Sequence, residues 1–343
     1  MREHIITLVF CITILSITIS TFFNMVQNTS EKTDLQKKME IERKEDDKDL
    51  LQVFSDNLAG KEEGAKLASS ISKATSGMTY IESTQVLLGK DDWLFYKRED
   101  DGNPLGDYEG AFRYTEEELL TFSQKLERDQ EIFNSLGCEF LVLTAPNKSN
   151  VYFEYMPDTI PRQSNLSSVD QLFDYLQTNS SIRAINTKPA LIQAKDLGQV
   201  YYSTDTHFNR QGAFIAVQEL FKTIEGREGQ PFSSARFTVT NEHFSGDLAT
   251  LANMNDIFQN DTFYEFDPTS VDLSFVSDKK VLIIGDSFGE AMYPVLAHYF
   301  QDVHFHHVLQ FTTDMIAEYQ PDIVVWEVVE RQAQRYLEVN LWE

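Results

Sequence analysis

The chain has 343 residues, 42% of them hydrophobic, enough to bury one sizeable core rather than two. Its formal charge of -25 at pH 7 argues against nucleic-acid partners, because affinity for phosphate backbones comes largely from Lys and Arg displacing counterions. Cys11 lies in an apolar N-terminal stretch and Cys138 far along the chain, so two cysteines provide no intrachain disulfide framework.

From Ile5 to Val26 nearly every residue is apolar, Ser or Thr. At about 1.5 Å per residue a helix here would span roughly 33 Å, enough to cross a hydrocarbon layer of about 30 Å. Residues 1–27 are therefore expected to form one transmembrane signal-anchor. A cleaved signal peptide is the alternative, but Phe22-Phe23-Asn24-Met25 lacks the small-x-small pattern of a cleavage site. Residues 28–75 are expected to be a polar stalk. Glu, Lys and Asp dominate from Glu31 to Lys66, and Leu35, Met39, Leu50, Leu51, Val53 and Phe54 do not hold a heptad long enough for a coiled coil.

The body, residues 76–343, alternates helical and strand-like segments, which predicts a three-layer α/β fold with a mostly parallel sheet covered on both faces. Glu116 to Leu136 reads as a helix, Glu139 to Thr144 as a buried strand, and Val169 to Gln177 and Gln211 to Ile224 as helices. Lys280 to Ile284 follows as a strand, Ala291 to Phe300 as a helix, and Val303 to Val308 and Asp322 to Trp326 as strands. Unbroken apolar runs are the mark of parallel strands buried on both faces. In such sheets chemistry gathers at the carboxyl ends of strands, here after Thr144, Ile284 and Trp326.

Gly285-Asp286-Ser287-Phe288-Gly289 directly follows one of these strands and precedes a helical run. That context puts the Ser287 hydroxyl on a sharp turn near a helix N-terminus, whose free N–H groups can hold a developing oxyanion, and the flanking glycines permit a tight backbone. A serine needs a base and the base needs an orienting group. Of the seven histidines, His207 stands out, two residues after Asp205 and just before Asn209, a good N-cap for the next helix. In a loop this spacing lets Asp205 hold one imidazole nitrogen while the other faces the serine. Taken singly, Asp205 and His207 read more readily as a surface Asp and a helix-entry His, and the serine turn has a structural reading too; together the three favour a triad. A metal site at His304 and His306 is the weaker reading, since no nearby Cys or carboxylate pattern completes it; no metal and no cofactor are expected. An α/β-hydrolase order is also disfavoured, because only about 55 residues follow Ser287, too few for the remaining βα units.

Five segments in order then resemble the SGNH-hydrolase-like domain of the AlgJ and AlgX alginate O-acetyltransferases. They are Val86 to Tyr96, Ala145 to Tyr152, Asp205 to Gly212, Val281 to Phe288 and Pro321 to Arg331. The resemblance implies a three-layer α/β/α, flavodoxin-like domain after the transmembrane helix. It also implies an O-acetyltransferase acting on hydroxyls of an extracellular or cell-wall polysaccharide through an acetyl-serine intermediate. Ser287 would be the nucleophile, His207 the base and then acid, and Asp205 its orienter, with Asn147, Lys148 and Arg331 as candidate oxyanion or substrate contacts. Phe208 stands where the family typically has Trp, and is expected to pack, as are Trp93, Phe95 and Tyr96. Implied partners are the polysaccharide acceptor and a polytopic membrane-bound O-acyltransferase as acetyl donor. An acetyl esterase with the same triad and a non-catalytic scaffold are the alternatives. The local charge count, Arg2 before the apolar stretch and Lys32, Lys37, Lys38, Arg43 and Lys44 after it, favours a cytoplasmic body. Long domains translocate largely regardless of such charge, so the family chemistry sets the expectation: a single-pass membrane protein with its catalytic domain extracytoplasmic.

Overall fold

The computed structural model describes residues 83–342. The anchor expected at 1–27 and the stalk at 28–75 lie outside the described residues. Among those described, no helix is long and apolar enough to cross a membrane.

The described chain opens with a short antiparallel hairpin, β1 (Val86–Leu88) and β2 (Leu94–Tyr96), followed by helix α1 (Pro104–Glu109). Helix α2 (Glu116–Ser135) starts at a reciprocal cap, in which the Thr115 hydroxyl accepts the Glu118 amide and the Glu118 carboxylate accepts the Thr115 amide. It gives way at Gly137, in the left-handed region at φ 85°, to strand β3 (Glu139–Ala145). Next come α3 (Lys148–Val151), α4 (Ser168–Asn179), β4 (Arg183–Asn186), α5 (Lys188–Ala194) and α6 (Arg210–Glu225). As the sequence suggested, the Asn209 side chain caps α6 by accepting the Gln211 and Gly212 amides. The last part contains β5 (Phe237–Phe244), α7 (Asp247–Leu251), β6 (Asp261–Phe266), β7 (Ser277–Gly285), α8 (Ser287–Leu296), β8 (Phe300–His307), α9 (Asp314–Tyr319), β9 (Ile323–Val329) and α10 (Arg335–Glu338).

Five of these strands form one parallel sheet in the order β4-β3-β9-β7-β8. Alternation along the strands splits the apolar runs between two cores. Phe140, Val142, Leu282, Ile284, Val324 and Trp326 face the helix layer carrying Leu119, Phe122, Leu126 and Leu172. Leu141, Leu143, Val281, Ile283 and Val325 face the opposite layer, with Phe214, Val217, Phe221 and Met292. This is the expected α/β/α arrangement.

Three local expectations are corrected. The helix predicted from Ala291 to Phe300 is α8, starting four residues earlier, because Asp286 caps it and sets its first residue on Ser287 itself; Phe300 instead begins β8. Strand β9 runs past Trp326 to Val329, since the Glu327 carboxyl is buried against backbone amides instead of ending the strand in solvent. Strands β5 and β6 form an antiparallel hairpin with irregular register, missed because most β5 side chains are exposed and leave no apolar run.

Candidate active site

The strand-to-helix turn at Ser287 is built around one carboxyl group. Glu327 Oε2 accepts the amides of Asp286, at 3.1 Å, and Gly289, at 2.9 Å, while Asp286 Oδ1 accepts the amide of Phe288 at 2.8 Å. Asp286 Oδ2 also ties the turn to β9 by accepting the Val329 amide at 2.8 Å. With these amides engaged, the Ser287 N–H has no acceptor among the described residues at the N-terminus of α8, where the helix dipole favours negative charge. The glycines serve close approach to Glu327 and not a positive φ: a Cβ at Gly285 or Gly289 would stand 2.7 or 2.9 Å from Glu327 Oε2. Burial and the adjacent Asp286 charge push the Glu327 carboxyl well above its ordinary range.

His207 and Asp205 come from the loop before α6. His207 Nε2 lies 2.7 Å from the exposed Ser287 Oγ, and its Nδ1 lies 2.7 Å from Asp205 Oδ1. The same Asp205 oxygen accepts the His207 amide, and its other oxygen accepts the Asp247 amide at 2.9 Å. Asp205 has four oxygen lone-pair directions to fill, and these bonds fix both oxygens, so the carboxylate cannot rotate away from the ring. Desolvation pulls the imidazole down, but the hydrogen bond and charge of Asp205, aided by Asp247, outweigh it and hold His207 above its ordinary value. For Asp205, burial works upward and the His207 contacts downward, with a net lowering.

Asp247, at the start of α7, was not singled out from the sequence. Its Oδ2 accepts the Thr206 hydroxyl at 2.5 Å and stands 3.8 Å from His207 Nδ1. Burial and the neighbouring Asp205 charge raise its carboxyl. Asp205, His207 and Asp247 bring ligand-type atoms within 4.8 Å of one another, yet a cation bound there would have to displace the His207–Asp205 bond. His304 and His306, weighed as ligands, serve otherwise: His304 stacks on Tyr319 with ring centres 3.7 Å apart, and His306 Nε2 meets the Tyr319 hydroxyl at 3.0 Å.

The remaining sequence candidates fall into two groups. Lys148 is buried behind the His207 loop, and its ammonium donates to the main-chain carbonyls of Tyr202, Ser203 and Asp205 at 3.0, 2.9 and 2.7 Å. All three protons are thereby used, which leaves none for an oxyanion and makes Lys148 a prop beneath the loop. Burial lowers its ammonium to about 8 against the raising influence of Asp261, Asp205 and Asp247. From the other side, Asp261 accepts the amides and hydroxyls of both Ser203 and Thr204 at 2.6–2.8 Å. Asn147 and Arg331, after β3 and β9, line a small cavity with Tyr96 and Thr206. The Asn147 side-chain amide nitrogen is buried with no hydrogen-bond partner among the described residues, and the Arg331 guanidinium lies 5.9 Å from the Phe288 ring centre.

Beside the Ser287–His207 pair opens a cleft of about 400 Å³, lined by residues that include Tyr202, Phe208, Phe244, Phe263 and Glu290. Phe208 packs edge-on against Phe288 and Tyr201, consistent with a packing role. Trp93 stacks on both Tyr152 and Tyr155, and Phe95 is buried in the core.

Comparison with known proteins places the chain in a family. The chain is 25% identical to a protein named "Probable alginate O-acetylase AlgJ" from Pseudomonas syringae pv. tomato, over 72% of this chain and 68% of that one. The protein of the same name from Pseudomonas putida is 24% identical, over 72% and 69%. In three dimensions the O-acetyltransferase domain of Pseudomonas putida AlgJ superposes with a TM-score of 0.50 at 22% identity, covering 75% of this chain and 93% of that domain. Bacillus cereus PatB1 superposes equally well, at 15% identity over 75% and 98%. These likenesses show a shared fold. Residues 86–330 match the family model of the SGNH hydrolase-like domain of the acetyltransferase AlgX, and the chain belongs to that family.

Proposed function

We propose that the protein is a polysaccharide O-acetyltransferase working by acyl transfer through Ser287. The carrying observation is the unbroken line from the Ser287 hydroxyl through His207 to Asp205, with 2.7 Å at each step. His207 Nε2 takes the hydroxyl proton as Ser287 Oγ attacks an acetyl carbonyl, then returns it to the departing donor group, leaving acetyl-Ser287. In the second half, His207 removes the proton of a sugar hydroxyl, whose oxygen attacks the acetyl carbon. The collapse frees Ser287 Oγ, which recovers that proton from His207. Asp205 keeps the ring oriented and stabilises its charged form. The developing oxyanion falls to the free Ser287 N–H, with the unpaired Asn147 amide and Arg331 as further candidate donors or substrate contacts.

The names of the relatives support a polysaccharide acceptor, and the apolar N-terminal stretch supports tethering to a membrane, at whose outer face such a polymer is met. An acetyl donor delivered by a membrane-bound O-acyltransferase completes the reading. Ser287 is exposed at an open cleft, so water competes for the acyl-enzyme and esterase activity is the second reading. Incubating the protein with an acetyl ester, with and without oligosaccharide, separates the two: acetylated sugar marks a transferase, free acetate alone an esterase. Ser287→Ala abolishes both, and an unchanged rate in that variant rejects the mechanism.

A further inference from the structure

The cleft beside Ser287 carries two features that bear on its acceptor. One wall is aromatic: Tyr202 and Phe263 lie parallel with ring centres 6.1 Å apart, and Phe244 stands 4.9 Å from Tyr202 and 5.6 Å from Phe263. Phe244 and Phe263 are only half-buried, so ring surface remains for a ligand. Flat apolar rings of this kind receive the C–H faces of pyranose sugars, which have apolar faces and polar edges.

The second feature is the sign of the charge. Asp205 and Glu290 line the cleft, and Asp247 stands 3.8 Å from His207 on the same loop network. Arg210 is the one Lys or Arg side chain among the lining residues. It is largely buried, donates to the Ala291 carbonyl at 2.7 Å, and feels the charge of Glu265 on the hairpin strand β6. This single cation stands against the carboxylates of Asp205 and Glu290, so the lining carries no excess of positive charge. The whole chain carries -25, so the long-range field also repels a polyanion approaching the cleft.

We propose that the acceptor is a glycan whose sugars bear no carboxylates, uncharged or amine-bearing, and that a polyuronate is a poor acceptor. This rests on the acyl-transfer reading given above and narrows its substrate. The aromatic wall supplies affinity for the sugar face, while the acidic surroundings select by repulsion.

The test uses the full chain with 4-nitrophenyl acetate as donor and three oligosaccharides of equal length: a cellulose fragment, a glucosamine oligomer and a mannuronate oligomer. Nitrophenol release reports acetylation of Ser287 whatever the acceptor, and mass spectrometry reports acetylated sugar. We expect kcat/KM for at least one of the first two acceptors to exceed that for mannuronate by tenfold or more at low salt. The gap should narrow as salt is added, because exposed charges are screened within about 10 Å at 0.1 M. Glu290→Lys should narrow it too, by raising the mannuronate rate. Mannuronate accepted as well as or better than the others overturns the proposal while leaving the acyl-transfer reading intact. So does nitrophenol release with no acetylated product from either non-acidic oligomer. Absence of nitrophenol release removes the acyl-enzyme reading and the proposal together.

Discussion

Lys148 Nζ stands 2.7 Å from the main-chain carbonyl oxygen of Asp205, so a cation at the start of α3 directly supports the residue that holds the His207 imidazole. Lys148→Met leaves the three carbonyls it serves without a donor in a buried setting. A loss of about 3 kcal/mol of stability follows from charged hydrogen bonds of this kind, measurable by urea unfolding. Turnover should fall at least tenfold with it. A variant with unchanged stability and lost turnover would instead make Lys148 an oxyanion donor.

The pH profile should be set by His207, which must be neutral to act as base. Its pKa is raised above the ordinary 6.5, so activity should climb with pH through a midpoint above that value and reach its plateau beyond it. Asp205→Asn removes the principal raising contact. We expect its acid limb to move to lower pH and kcat to drop on the order of 10⁴-fold, as when the orienting carboxylate of a triad is lost. Asp247→Asn should shift the limb in the same direction by less, with kcat reduced under tenfold. An acid limb unmoved in both variants would assign the titration to another group.

For Glu327 the discriminating pair is Gln against Ala. Because burial holds its carboxyl well above the ordinary 4.5, the neutral amide of Glu327→Gln can accept the same two amides. Glu327→Ala frees both and loosens the turn, with an expected loss of kcat of tenfold or more that the Gln variant escapes. The sign of the linkage adds a second readout. A raised folded-state pKa contributes stability that is full below about 4.5 and is lost as pH rises through the higher folded value. Glu327→Gln should therefore gain stability relative to the parent on going from pH 4 to 7.

Trp326 is fully buried on β9, facing α2 and edge-on to Tyr336 at 5.0 Å. Trp326→Ala should cost about 3–5 kcal/mol in a denaturant titration, as for other large aromatic truncations in a packed core. Its side chain lies on the face away from α8, so the residual folded fraction should keep its rate per active site.

Much of this architecture was legible because each signal was local. The apolar runs of β3, β7 and β9 announce doubly covered strands. Asp205 and His207 are two residues apart, and Asn209 marks the helix entry that fixes their loop. The glycines at 285 and 289 were also legible, but for the wrong reason: they admit the Glu327 carboxyl, and nothing near Ser287 in sequence reveals that group. Asp247 was invisible for the same cause, since its bonds to Thr206 and Asp205 span helix α6 and strand β5. A carboxylate interrupting the apolar run Val324-Val325-Trp326-Glu327-Val328 was the available hint, because an acidic group inside a buried strand must find amide partners. Hairpin β5–β6 escaped because its exposed alternation resembles a polar loop.

That hairpin joins no strand of the five-stranded sheet, whereas Ser287 is rooted in it through β7 and β9. Hydroxyl and cleft wall are thus mounted on different sheets but are not independent: Ser287 and Glu327 belong to the five-stranded layer, Phe244 and Phe263 to the hairpin, and the hairpin region also supplies Asp247 and Asp261, which brace the loop carrying Asp205 and His207. Reshaping that hairpin at Phe244 and Phe263 alters the cleft wall alone, whereas a change at Asp247 or Asp261 reaches the His207 loop as well.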